Sequence, residues 1–151
     1  MNALAVGLNA RTWIELQDVA DLGGYLGRLD GDRVYSLVVW RLPQGRSFGE
    51  SDPRLQATEY LQCAGTSSRM TIEIRRRDGE TYVQYCVGEA PDQYANGDPG
   101  AEAVEWAGHR VHVSVSELYD AESAKSVFEE YCRSGDTPPK CTLRKIVVGG
   151  S

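Results

Sequence analysis

The two histidines of the chain, His109 and His112, are the first candidates for chemistry, because imidazole binds metal ions and transfers protons near neutral pH. They lie in a run over residues 109–115 in which valine alternates with other residues, and this pattern predicts a β-strand. Residues i and i+3 of a strand point to opposite faces, so the two rings cannot bind the same metal ion. We therefore predict no metal site at this pair.

The four cysteines also form no motif that carries chemistry. Cys63, Cys86, Cys132 and Cys141 include no Cys-x-x-Cys pair, so their spacing supports neither a zinc knuckle nor a thioredoxin-like redox site. The simplest interpretation is that they are small buried side chains in a reducing compartment. A disulfide is the alternative, and Cys132 with Cys141 would close the shortest loop.

Enzyme motifs are missing from the sequence. It contains no nucleophile elbow, no phosphate-binding glycine loop and no dinucleotide fingerprint. We therefore predict a protein that is not an enzyme, with no catalytic residues, no cofactor and no bound metal. The alternative is a small enzyme whose site forms only in the folded chain, with Cys86 or His112 acting beside a carboxylate.

Charge is unevenly distributed along the chain, whose formal net charge is −6. Residues 89–130 contain ten acidic residues and only two basic ones, Arg110 and Lys125. An acidic half argues against direct binding of nucleic acid, because neutralising phosphates requires lysine and arginine. It is compatible with a basic protein partner, and a solvated acidic surface that maintains solubility is the alternative.

Three aromatic residues lie close to these carboxylates and are candidate anchors for a protein partner. Trp106 follows Glu105 beside a glycine turn, Tyr94 lies in a loop rich in turn residues, and Tyr119 directly precedes Asp120. Tyrosine and tryptophan are enriched at the centres of protein interfaces. The alternative for Trp106 is that its indole closes one end of the hydrophobic core.

The elements that would position these residues are predicted by hydrophobic periodicity. A first helix follows the N-cap Asp18 and buries residues at helical spacing up to Leu29, although Gly23 and Gly24 each cost about 1 kcal/mol. A second helix follows the N-cap Asp120. Alternating or β-branched runs predict strands over residues 12–16, 34–42, 58–64, 69–75, 81–87, 103–107, 110–115 and 142–148. We predict a single α+β domain over residues 1–151, an antiparallel meander of about five to seven strands with an N-terminal and a C-terminal helix packed on it.

From the sequence we expect the protein to be located in the cytoplasm. No run approaches the roughly 20 apolar residues of a membrane span. The N-terminal residues include no basic segment of the kind that opens a signal peptide. We therefore expect no membrane partner, and the sequence leaves the oligomeric state open.

Three segments resemble a known family of bacterial polymorphic-toxin immunity proteins, immunity protein family one. Residues 60–65 (YLQCAG) followed by 70–74 (MTIEI) are similar to its central strand pair, and 104–106 (VEW) leading to 111–115 (VHVSV) are similar to its late strands. The ending is the strongest match. It consists of a helix with Ala124, Val127, Phe128 and Tyr131, then Gly135 and Pro138, then the closing residues 143–146 (LRKI).

The resemblance implies a small cytoplasmic antitoxin that acts in interbacterial competition. Such a protein binds a cognate secreted toxin domain, for example a nucleic-acid deaminase, and blocks its active site. Because such toxins carry a basic cleft, we expect an acidic, aromatic-bearing surface to occupy it. The candidate partner-binding residues are Tyr94, Glu102, Glu105, Trp106, Glu117, Tyr119 and Asp120. Besides the enzyme considered above, the remaining alternative is a protein-interaction subunit of a larger assembly.

Overall fold

The computed structural model describes residues 4–9, 12–41, 59–89 and 102–146. The strands are β1 Leu4–Leu8, β2 Thr12–Glu15, β3 Ser36–Arg41, β4 Tyr60–Thr66, β5 Arg69–Asp78, β6 Thr81–Glu89, β7 Glu102–Trp106, β8 His109–Val113 and β9 Cys141–Lys145, and the α-helices are α1 Leu22–Gly27 and α2 Ala121–Ser134. Single 3₁₀ turns at Val19–Asp21 and Val115–Glu117 precede the regions of the two helices.

Seven strands form one antiparallel sheet in the order β2-β1-β3-β4-β5-β6-β9. From β3 to β6 each strand pairs with the next along the chain, and the predicted β4–β5 hairpin closes at Thr66 opposite Arg69. β9 returns after α2 to pair with β6 at the edge of the sheet. The predicted α+β fold with an antiparallel meander and two helices is confirmed.

Both helices pack on one face of this sheet and enclose the main core. The apolar stripe predicted for α2 is buried as Ala124, Val127, Phe128 and Tyr131. The helix begins as predicted, since the Asp120 carboxylate accepts a hydrogen bond from the backbone N–H of the third residue at 2.8 Å. It ends at residue 135, a glycine in the left-handed conformation with φ 81°.

The N-terminal helix is shorter than its periodicity predicts. Asp18 caps the 3₁₀ turn rather than the α-helix, which begins only at Leu22 and ends at Gly27. Gly23 and Gly24 nevertheless both lie inside α1. A Cβ atom at Gly23 would lie 3.4 Å from the Cδ atom of Lys125 in α2, so the missing side chain leaves room for the neighbouring helix.

The opposite face of the sheet is partly covered by β7 and β8, which form a separate two-stranded sheet. This hairpin was predicted, but its position was not. It packs Val104 and Val113 against Cys86 of β6, in a small second core. The alternation over residues 69–75 predicts a half-buried strand with Thr71 on its solvent face, but beneath the hairpin Thr71 is only 2% exposed and lies beside Cys86. The prediction of a half-buried strand is therefore wrong at Thr71.

Two smaller expectations are also settled by the described residues. Arg133 forms an ion pair with Glu130, with 2.6 Å between the charged atoms, whereas the sequence predicted Glu129 as its partner. Glu129 instead lies 3.9 Å from Lys125. All four cysteines are thiols, so no disulfide joins residues 132 and 141. Within the described ranges, no helix combines the length and the apolar composition needed to cross a membrane.

Candidate protein-binding cleft

The tip of the β7–β8 hairpin is a two-residue turn that is held against the main body by backbone atoms. Ala107 and Gly108 have φ angles of 43° and 84°, the pair of positive values that defines a type I′ turn. The N–H of Ala107 donates to the carbonyl oxygen of Gly31 at 2.7 Å. Gly31 has a φ of 81°, which glycine adopts without strain, so the turn after α1 can point this carbonyl at the hairpin.

A cleft of about 790 Å³ lies where these two turns meet. On one side it is lined by the turn carrying Asp30 and Asp32, and on the other by Glu105, Trp106 and the residues up to Arg110. Three carboxylates therefore face one guanidinium group. Glu105 and Arg110 lie 3.2 Å apart, but both are well exposed, and such pairs contribute little to stability. The cleft is acidic and open to solvent.

The shape of the acidic wall is fixed by hydrogen bonds within the first turn. One oxygen of the Asp30 carboxylate accepts the backbone N–H groups of Asp32, Arg33 and Val34 at 2.9–3.1 Å. The N–H groups of Asp32 and Val34 are the main cause of a pKa for Asp30 below its usual value. Asp30 is therefore ionised at neutral pH, and it holds Asp32 on the same side of the cleft.

Trp106 connects the cleft to the second core. Its indole is half-buried and packs against the cluster of Cys86, Val104 and Val113. The ring of His109 lies across the hairpin, 6.0 Å from the indole between centroids. An aromatic ring that is anchored on one side and accessible on the other matches the anchors found at protein interfaces. Glu105 and Trp106 both line the cleft.

Two other predicted residues are exposed but lie outside the cleft. Glu102 begins β7 and pairs with Arg69, with 2.7 Å between its Oε2 and the guanidinium nitrogen. Asp120 is committed to capping α2, and the hydrogen bond from the Ser123 backbone N–H is the largest cause of its lowered pKa. Tyr94 lies outside the described residues. Neither Glu102 nor Asp120 lines the acidic cleft.

Glu117 was predicted to present charge to a partner, and the structure corrects this because the residue is only 4% exposed. Its carboxylate accepts hydrogen bonds from Arg144 Nε at 2.7 Å and from the Ser114 backbone N–H at 2.8 Å. A Cβ atom at Gly88 of β6 would lie 3.3 Å from the Cγ atom of Glu117. The lack of a side chain at Gly88 therefore allows the turn that carries Glu117 to approach β6 closely. Glu117 joins the hairpin exit to the edge strand β9.

Tyr119 was predicted as an exposed anchor and is likewise buried, at 2% exposure. Its backbone exchanges two hydrogen bonds of 2.9 Å with Met70 of β5, which draws the side chain into the main core. Burial raises the pKa of its hydroxyl, and the neighbouring Cys141 thiol adds to the effect. The residue therefore holds the start of α2 onto the sheet instead of facing solvent.

Asp30 and Asp32 were missed by the sequence analysis. The signal was present in the Asp30-Gly31 pair, which correctly predicted a turn at the end of the first helical segment. What the sequence lacked was any indication that this turn lies beside the hairpin tip, 75 residues later in the chain at Glu105. The contact depends on the position of the hairpin on the sheet.

The residues named for the enzyme alternative, Cys86 and His112, do line one groove. Burial, together with the nearby Glu117 carboxylate, raises the pKa of the Cys86 thiol to about 12. A nucleophilic cysteine requires the opposite shift, toward the thiolate. Among the described residues, no group of three or more His, Cys, Asp or Glu side chains could hold a metal ion.

In comparisons with known proteins, no protein-family model and no curated protein matches the chain. The membership of immunity protein family one therefore stays a prediction that rests on the sequence pattern.

Proposed function

We propose that the chain is an immunity protein that binds a cognate secreted toxin domain and inhibits it by occupying its active site. The observation that carries the proposal is the acidic cleft, whose lining includes Asp30, Asp32 and Glu105 together with the half-buried Trp106. Carboxylates around an aromatic anchor are complementary to a basic protein surface. A toxin that acts on nucleic acid, such as a deaminase, has such a surface where it binds phosphates.

The two parts of the cleft should contribute differently to binding. Exposed charges at the rim of an interface mainly set the rate of association and its salt dependence. A partly buried tryptophan mainly sets the rate of dissociation, because its contacts must break before the partners separate. We therefore expect Asp32 and Glu105 to control association and Trp106 to control dissociation.

The test requires the cognate toxin domain, which the proposal expects to be encoded immediately upstream of the gene for this chain. Co-expression scored by cell survival establishes neutralisation, and surface plasmon resonance with the purified domain gives the two rates. Asp32→Lys and Glu105→Lys should each slow association several-fold and make its rate less sensitive to salt, because each removes part of the attraction that salt screens. Trp106→Ala should speed dissociation about thirtyfold, which corresponds to a hot spot of about 2 kcal/mol.

The matched control is Glu80→Lys, which makes the same charge change in the exposed turn between β5 and β6. It should leave both rates close to those of the unchanged protein. If the chain fails to protect cells, the immunity function is wrong. If it protects cells but the cleft variants behave like Glu80→Lys, the function stands and the assignment of the cleft is wrong.

A further inference from the structure

The outer edge of β8 offers backbone hydrogen-bonding groups to a partner. In a hairpin closed by a two-residue type I′ turn, the flanking pair Trp106–His109 is hydrogen-bonded, and the pattern then alternates. The residues of β8 that face away from β7 with their N–H and C=O groups are therefore Arg110 and His112. Ala103, which lies opposite His112, confirms the register, because its carbonyl points outward and accepts from the Arg69 side chain at 2.8 Å.

β8 is an open edge within the part of the chain that the structure describes. It pairs with β7 alone, in a sheet of two strands. Between described residues, no backbone hydrogen bond outside this hairpin involves Arg110 or His112. Two N–H and two C=O groups are therefore available to an added strand, which is the basis of recognition by strand addition.

A groove of about 310 Å³ runs along this edge. Four consecutive residues of β8, 110–113, line it. Successive residues of a strand point to opposite faces, so all four can line one groove only if the edge of the strand borders it. Val111, Val113 and Ile146 contribute apolar groups to the wall of the groove. The side opposite β8 is formed by residues of β5, β6 and β9. The space suits an extended segment with an apolar side chain turned inward.

Among the charged groups that line the groove, the two guanidinium groups are the most accessible to solvent. Arg110 is exposed on β8, with Glu105 of β7 at 3.2 Å, and the Arg144 side chain on β9 is 48% exposed. The carboxylate of Glu117 behind Arg144 is buried, so it is withdrawn from solvent. Glu73 on the floor is half-buried and already accepts hydrogen bonds from two glutamine amides of neighbouring strands. A segment with acidic side chains is therefore the complementary occupant.

A second copy of the chain fits this edge poorly. Antiparallel pairing of two β8 strands would bring the Arg110 guanidinium group of one copy close to that of the other. Like charges in cross-strand positions destabilise a sheet. The charge pattern thus favours a different protein over self-association.

We propose that the groove along β8 binds an extended acidic segment of another protein by strand addition. The segment pairs with the outward N–H and C=O groups of Arg110 and His112, places an apolar side chain against Ile146, and directs carboxylates toward the guanidinium groups of Arg110 and Arg144. This surface shares only Arg110 with the acidic cleft, and it attracts the opposite charge. It does not depend on the proposed immunity function.

The probe is a capped synthetic peptide in which glutamate and valine alternate. It has about six residues, the length of an ordinary strand. The matched control alternates lysine and valine. In NMR titrations of the full chain, the acidic peptide should shift the amide signals of residues 110–113. It should also slow hydrogen exchange of the Arg110 and His112 amides at least about tenfold, while the Val111 amide, already paired with β7, changes little.

The proposal is overturned if the acidic peptide produces no shifts, if the lysine peptide binds equally well, or if the protected amides lie elsewhere. A concentration-dependent dimer that protects the same two amides without peptide would also overturn it, in favour of self-association.

A pair of variants separates the backbone contact from the side chain. His112→Pro removes the outward N–H of an edge position that proline tolerates, whereas His112→Ala keeps it. The proline variant should weaken binding of the acidic peptide about tenfold relative to the alanine variant. Equal affinities would contradict strand addition. If the proline variant does not fold, the exchange measurement on the unchanged chain decides the question.

Discussion

Burial should make the Glu117–Arg144 ion pair contribute several times more to the free energy of unfolding than an exposed pair with the same distance between its charged atoms. The shortest distance between charged atoms is 2.7 Å both here and in the Glu102–Arg69 pair. The carboxylate side chain is 6% exposed in the first pair and 39% exposed in the second. Glu117→Gln and Glu102→Gln are therefore matched substitutions that differ mainly in solvent exposure.

The magnitude follows from the bonds that are lost. Glu117→Gln removes the negative charge and the hydrogen bond from Arg144 Nε to Oε2, but it keeps the oxygen that accepts from the Ser114 N–H and from Arg144 Nη2. Hydrogen bonds to charged groups contribute about 1.5–3 kcal/mol each. The half-exposed arginine can be rehydrated, which offsets part of the loss, so we expect about 2–3 kcal/mol. Glu102→Gln should cost less than about 1 kcal/mol.

The stability difference should also depend on pH. Burial alone would raise the pKa of Glu117, but the bonds from Arg144 and Ser114 outweigh it and hold the pKa below its usual value of 4.5. A lowered folded-state pKa gives stability that is complete above the unfolded-state value and is lost as the pH falls through the folded-state value. The gap between the unchanged protein and Glu117→Gln should therefore narrow below pH 4.5.

Urea denaturation followed by circular dichroism, at neutral pH and at a series of acidic values, measures both effects. Added salt supplies a further comparison, since it should reduce the contribution of the exposed pair more than that of the buried one. If Glu117→Gln costs no more than Glu102→Gln, or if its cost does not change with pH, the energetic role assigned to burial is refuted.

Three further predictions concern the backbone, the helix cap and the thiols. Gly65→Ala should lower the free energy of unfolding, measured in urea, by more than about 2 kcal/mol, because φ is 132° and a Cβ atom would clash with neighbouring backbone atoms. Gly79→Ala, where a Cβ atom would lie in open space, should cost less. Asp120→Ala should lower the thermal midpoint more than Asp120→Asn, which keeps a capping oxygen; equal midpoints would refute the cap. Cys63 and Cys86, whose pKa values burial raises to about 12, should react with a thiol reagent at neutral pH only as the chain unfolds, and rapid native labelling would contradict this.

Most elements of the fold could be predicted from local sequence because their signals are local, but β1, Leu4–Leu8, was not among the predicted strands. Asp120 and Gly135 define the ends of α2, and the alternation that buries Met70, Ile72 and Ile74 defines β5. Each depends on residues within one turn of helix or one strand. Such patterns are independent of where the element lies in the folded chain.

The site was harder to predict because it depends on how distant elements pack. Glu105 and Trp106 were identified from an acidic run with an aromatic residue, and the structure places both in the cleft. The same reasoning failed for Glu117 and Tyr119, which are equally close to acidic neighbours in sequence but are covered by β6, β9 and β5. Whether a carboxylate is at the surface depends on which face of the sheet the hairpin covers, and neither charge nor spacing determines this.

The tip of the hairpin is attached to the body through main-chain atoms, from the Ala107 amide to the Gly31 carbonyl. Any residue able to adopt the turn can supply that amide, so the attachment does not constrain the neighbouring side chains at Glu105 and His109. Substitutions at those two positions change the chemistry that the cleft presents at little cost to folding. Such a surface can follow a changing partner over evolutionary time, one residue at a time, while the sheet and helices that support it stay the same.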